Sequence, residues 1–169
     1  MLGELLAEQV RLAHDGPAWH GASLAENLAG VTAVDAASRP LPEAHSIWEI
    51  VAHLTGWTSE VSRRLAGGAP AEPEEGDWPA VGAVSDAAWS RALEALRQAH
   101  LALAEAAGRF PEERWRDMVG EQRDAPLDTG TAHSAVLEGL VQHDAYHNGQ
   151  IGLLRKALRV SATRTPRGW

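Results

Sequence analysis

The sequence predicts an all-α protein, a four-helix bundle with long connections. Apolar residues recur at helical spacing over four separate segments, and no run of convincing length alternates as a strand would. Stretches rich in proline, glycine and acidic residues separate the four segments. At 169 residues the chain can bury one core without staples, which predicts a single domain over residues 1–160 and a C-terminal tail over 161–169.

The first helix runs from Leu2 to about Ala13, with Leu5, Leu6, Val10 and Ala13 at helical spacing, and Asp15-Gly16-Pro17 stops it. The stretch Ala18 to Pro42 is mixed. Ser23 and Glu26 form a capping box for a short helix near Leu24 to Leu28, and the rest reads as loop. Ser46 caps a second long helix to about Ala66, whose Ile47, Ile50, Leu54, Val61 and Leu65 form an apolar stripe ended by Gly67-Gly68. From Ala69 to Val84, three prolines and the acids Glu72, Glu74, Glu75 and Asp77 predict a solvated crossover loop. A third helix from Ser85 or Asp86 to about Ala107 buries Trp89, Leu93, Leu96, Leu103 and Ala107, and Gly108 and Pro111 close it. After an irregular stretch with Gly120, Pro126 and Gly130, Thr131 opens the longest helix, reaching about Leu158.

A formal net charge of -8 repels phosphate backbones and disfavours nucleic-acid binding. The one small basic cluster, Arg155, Lys156 and Arg159, reads as a complement to the dipole at the end of the last helix. No apolar run approaches the roughly 20 residues of a membrane span. The acidic N-terminus MLGELLAEQV does not resemble a signal peptide, so no membrane association and a cytoplasmic location are expected. With no cysteine, any thiol chemistry has to use an external sulfur, and histidine and carboxylate remain as the strong metal ligands.

His143 and His147 stand four residues apart on the last helix, so both imidazoles can reach one ion. They interrupt an aliphatic stripe of Val136, Leu140, Ile151 and Leu154, where an unpaired imidazole costs a few kcal/mol (roughly 1–3) and needs a partner. His53 interrupts the second helix's stripe in the same way. Each histidine taken alone has an ordinary alternative, a core imidazole bonded to a carbonyl or water. Three inward histidines on two helices favour a metal, and three neutral imidazoles leave a coordination position open for water or substrate.

Asp144 follows His143 where H-E-x-x-H metalloproteases carry their general base, so H-D-x-x-H makes it a candidate catalytic base; a surface carboxylate or a partner for a ligand is the alternative. Glu49 is placed to orient His53, and Gln150 to orient His147. His20 and His45 lie in the connection before the second long helix, where they can line the mouth of a pocket, although exposed or capping histidines are commoner there, whereas His14, His100 and His133 carry no expected role. Trp48 and Trp57 flank His53. A ferritin-like di-iron site is argued against by the missing Glu-x-x-His pairs.

The run LVQHDAYHNGQIGLLRK from Leu140 to Lys156, together with SIWEIVAHLTGW from Ser46 to Trp57, resembles the DinB-like, YfiT-like superfamily. Its motif is one histidine on the second helix and H-x-x-x-H followed by G-Q-I on the fourth, here His53, His143, His147 and Gly149-Gln150-Ile151. PAWHGASLAENL, Pro17 to Leu28, also looks like a segment of that family. The resemblance implies a four-helix bundle, often homodimeric, with zinc or nickel on the three histidines. Characterised relatives in it include transferases and isomerases that use a low-molecular-weight thiol, so a metal-dependent enzyme acting on a small molecule is the leading expectation. Metal-dependent hydrolysis with Asp144 as base, and a non-catalytic metal-stabilised stress or binding protein, are the alternatives.

Overall fold

The computed structural model describes residues 1–120 and 130–164, with side chains described through residue 160. Pro126 of the expected irregular stretch and the end of the expected tail lie outside the described residues. The chain forms α1 (Leu2–Asp15), α2 (Leu24–Leu28), α3 (Ala33–Ala37), α4 (Ile47–Leu65), α5 (Asp86–Arg109) and α6 (His133–Arg164). A 3-10 turn, Glu112–Arg116, and two-residue strands β1 (Met118–Val119) and β2 (Thr131–Ala132) lie between α5 and α6. The long helices α1, α4, α5 and α6 are the four of the bundle: α1 and α4 each pack against both α5 and α6. No helix among the described residues is long and apolar enough to cross a membrane.

Local chemistry explains most boundaries. Ser46 Oγ accepts from the Glu49 N–H at 3.2 Å while Glu49 Oε2 accepts from the Ser46 N–H at 2.7 Å, a reciprocal cap on α4. Ser23 and Glu26 repeat this on α2. The helix α3 was not expected; Thr32 caps it by accepting from the Asp35 N–H at 3.1 Å. Thr131 does not open α6. It pairs with Val119 as Ala132 pairs with Met118, antiparallel, and α6 starts two residues after it, at His133. Two-residue strands are too short to show a period. Gly108 falls inside α5, which closes at Phe110, and α6 continues past Leu158 to Arg164.

The core has two apolar bodies. One gathers Leu6, Val10, Val61, Leu103, Leu137 and their neighbours, the other Leu24, Ile50, Leu54, Leu96, Ile151 and theirs. Each fully buried Leu or Ile contributes about 2 kcal/mol. Between the two bodies in sequence, on α1, α4, α5 and α6, the buried residues turn polar: His14, Thr58, Glu60, His100, Asp144, His147 and Asn148, with His53 at the edge of the second body. An unpaired group in that seam costs about 1–3 kcal/mol, so its partners decide whether the layer is tolerable.

The connection between α1 and α4 is fastened to α6. Asn148 Nδ2 donates to the Ala22 carbonyl at 2.6 Å, and its Oδ1 accepts from Asn27 Nδ2 at 2.7 Å. The Arg155 guanidinium donates to the carbonyls of Glu26 at 3.0 Å and Ala29 at 2.9 Å, and to that of Asn27. Arg155 thus caps the C-terminal carbonyls of α2 from a distance, a specific contact where a general complement to the dipole of its own helix was expected.

Candidate metal centre

The three histidines expected to meet do so. His53 from the middle of α4 and His143 and His147 from the middle of α6 each offer one ligand atom, all within 4.8 Å of one another. His53 Nε2 and His143 Nε2 stand 2.9 Å apart. His53 and His147 are buried and His143 is half-buried.

Two of the rings have a partner on the far nitrogen that fixes which nitrogen faces inward. His53 Nδ1–H donates to the Asp77 carbonyl at 2.7 Å, and His147 Nδ1–H donates to Gln150 Oε1 at 2.7 Å. Each Nε2 is then a bare lone pair. Two imidazole nitrogens at 2.9 Å need a proton or a cation between them. A four-coordinate ion with metal–nitrogen bonds near 2.0–2.1 Å asks for nitrogens about 3.3–3.4 Å apart, so small ring movements suit the cluster to an ion.

Burial, then the charges of His147 and His53, lowers the His143 pKa to about 4, although Asp144 and Asp77 act the other way. Burial also lowers that of His147, against the Gln150 hydrogen bond. Ligand nitrogens held neutral at pH 7 are ready for a cation.

Gln150 therefore does what was expected of it. Glu49 does not: its carboxylate is taken by the Ser46 cap and by Arg39, and the acceptor on His53 comes from Asp77. Asp144 lies on the core side of α6, only 1% exposed, with Oδ2 at 3.0 Å from His100 Nε2. The other His100 nitrogen donates to the Leu96 carbonyl at 2.9 Å, and His14 stacks on the His100 ring with centroids 4.5 Å apart. No motif marks this second histidine–carboxylate group. Burial pulls the His100 pKa down, but the Asp144 hydrogen bond and charge and the Leu96 carbonyl outweigh it, and the net direction is up. His133 is buried against Phe110, 5.0 Å between centroids.

Two cavities meet at the centre and share His53, Asp77 and His143 in their walls. The smaller, about 380 Å³, is lined also by Trp57, Arg64 and Leu140. The other, about 590 Å³, adds His45, Trp78, Tyr146, His147 and Gln150. Asp144 lines neither. His45 thus reaches the pocket as expected; His20 is exposed and lines neither cavity. Trp57 stays beside His53, whereas Trp48 is packed in the core. A larger cavity of about 710 Å³ lies among α4, α5 and the connection between them, and none of the three histidines touches it.

The residues that the sequence reading missed are Asp77 and Trp78. The Trp78 indole lies flat on His53, 4.0 Å between centroids and 6° between planes, and His45 covers it at 3.6 Å and 1°. One clue was available: a tryptophan in an acidic, proline-rich loop has a large apolar ring to bury.

The lowered pKa values of His14 and His143, both about 4, set an expected pH dependence for the metal-free protein. For His14 the causes are burial, then the charges of His100 and Arg97. Between the unfolded value of 6.5 and the folded value of about 4, the unfolded chain binds protons that the folded one refuses, so stability falls as pH drops through that window. At about 1.4 kcal/mol per unit for the buried His14, and less for the half-buried His143, whose charge solvent screens, the loss is on the order of a few kcal/mol at most. His100 works in the opposite sense, its contribution being full below 6.5 and fading as pH rises through its raised folded value. Urea melts of chelator-treated protein at pH 4, 5, 6 and 7 measure the balance; midpoints that rise on acidification would contradict it.

A helical bundle with three imidazoles converging from two helices defines a candidate three-histidine metal-binding protein. The DinB superfamily model matches residues 18–151, a span that takes in all three histidines, and the chain belongs to the DinB superfamily. No curated protein and no solved structure matches the chain.

Proposed function

We propose that the protein holds one divalent transition metal, zinc or nickel, on His53, His143 and His147, and acts as an enzyme on a small molecule, of the thiol-dependent transferase or isomerase type. The observation that carries the reading is the convergence of the three ligand nitrogens with two of their far nitrogens already engaged. When bound, such an ion acts as a Lewis acid and lowers the pKa of a coordinated thiol or water. The chain's own part is to keep three imidazoles in place and to admit partners from two sides. Two cavities meeting at one centre suit a reaction in which one small molecule meets another, and so favour transfer over hydrolysis. Asp144, held by His100 and away from both cavities, is poorly placed as a hydrolytic base. The exposed Tyr146 and Leu153 on α6 offer apolar surface for a homodimer.

The test uses the cobalt-substituted protein. Addition of a low-molecular-weight thiol is expected to produce a sulfur-to-cobalt charge-transfer band in the near ultraviolet. If the band is missing for every such thiol tried, while cobalt is demonstrably bound, the thiol-dependent reading is wrong.

A further inference from the structure

The connection between α4 and α5 was expected to be a solvated loop, but it lies fastened along α4. The Ala71 N–H donates to Glu60 Oε1 at 2.9 Å, Arg64 donates to the Ala71 carbonyl at 3.2 Å, and Arg63 donates to the Ala69 carbonyl. Glu60 and Arg64 are themselves a buried pair at 3.0 Å. The connection then crosses α4 at Gly56, where a Cβ would stand 3.0 Å from Pro73 Cβ, so a larger residue would push the connection outward by a few tenths of an ångström. Gly76, at φ +85°, turns the chain back over His53.

At that turn Asp77 is gripped at two points by one stretch of α4. Its carbonyl accepts from His53 Nδ1–H at 2.7 Å, and its Oδ1, 3.3 Å from that same nitrogen, accepts from Trp57 Nε1–H at 2.7 Å. His53 and Trp57 are four residues apart and so share a helix face. Trp78 follows at once and closes over the His53 ring.

Resting on the metal assignment above, we propose that this connection is a strap coupled to the centre, in which Asp77, held by Trp57, positions His53 for the ion. A histidine on a helix has two tautomers and a ring that can flip; an acceptor fixed at Nδ1 selects the tautomer and orientation that present Nε2 to a metal. The acceptor is a main-chain carbonyl in a loop, and it is only as well placed as the loop is. The Trp57 bond places it. By reciprocity, whatever factor the strap adds to metal affinity, the metal adds to the closed position of the strap.

The experiment measures zinc affinity by chelator competition for the parent, Asp77→Ala, Asp77→Asn, Trp57→Phe and the double variant Trp57→Phe, Asp77→Ala. Amide exchange across residues 76–78 is followed with and without zinc. The Asp77 side chain is 48% exposed, so folding is expected to survive, and circular dichroism checks it. Asp77→Ala and Trp57→Phe are each expected to weaken zinc roughly 10-fold, the low end of the cost of losing an outer partner of a ligand, because the Asp77 carbonyl remains and is only less well placed. The double variant should be no weaker than the worse single, because both remove one link. Asp77→Asn keeps an oxygen for Trp57 and should stay within a few-fold of the parent. Zinc should slow exchange across 76–78 in the parent, and much less in Trp57→Phe. If the parent binds zinc but the variants match it, or exchange in the strap ignores zinc, the strap proposal is overturned and the metal centre stands. A parent that takes up no zinc overturns both.

Discussion

Protein carrying His143→Ala and His147→Ala together is expected to emerge from purification without stoichiometric divalent metal, where the parent carries about one ion per chain. The two residues stand on one face of α6 and supply two of the three converging nitrogens, so their loss leaves His53 as a single imidazole. Loss of an outer partner already costs 10- to 100-fold, so the loss of two ligands should exceed roughly 10²-fold in affinity. Elemental analysis after dialysis reads the metal content, and circular dichroism verifies the helices. Full retention of metal in the double variant would remove the basis for any function at this centre.

The second large effect concerns His53, which alone of the three ligand candidates comes from α4. Metal that binds only the folded chain stabilises it by RT ln(1 + [L]/Kd), about 2.7 kcal/mol at a hundredfold excess over Kd and about 4 kcal/mol at a thousandfold. For a chain of this size, each kcal/mol raises Tm by about 2–4 °C. The parent should therefore melt roughly 5–11 °C higher at the lower excess, rising with free metal. His53→Ala should lose most of that shift at the same metal concentration, because the remaining ligands sit on one helix and no longer join α4 to α6. Equal shifts for the two proteins would return His53 to the role of a buried core histidine.

Much of this was legible in the chain because regular helices write their period into the sequence. The stripes of α4 and α6 placed His53, His143 and His147 on inward faces, and the caps at Ser23 and Ser46 appear where their spacing to Glu26 and Glu49 put them. Glu49 shows the limit of such reading: the same carboxylate fits a cap or a histidine one turn on, and only the fold decides between them. His100 and Asp144 were missed as a pair because 44 residues separate them, His100 carries no motif, and the motif at Asp144 points to the metal rather than to α5. Asp77 and Trp78 were missed for a different reason. Loops have no period, and the composition of this one, acidic and rich in proline, matches that of segments that stay in water. Its fastening depends on Glu60, Arg64 and Trp57, whose roles appear only once α4 exists.

The contacts of Asn148 and Arg155 with residues 22–29 set the rotational phase of α6. Successive residues on a helix are 100° apart, so turning α6 by a single position would swing His143 and His147 away from His53 and bring their neighbours round instead. The Asn148 amide, one residue beyond His147, is locked on both its oxygen and its nitrogen, and Arg155 repeats the lock two turns further on. A short segment more than 120 residues upstream, which touches neither cavity nor ligand, thus works like the key in a shaft: it transmits no chemistry, but it decides which side of the helix the chemistry faces.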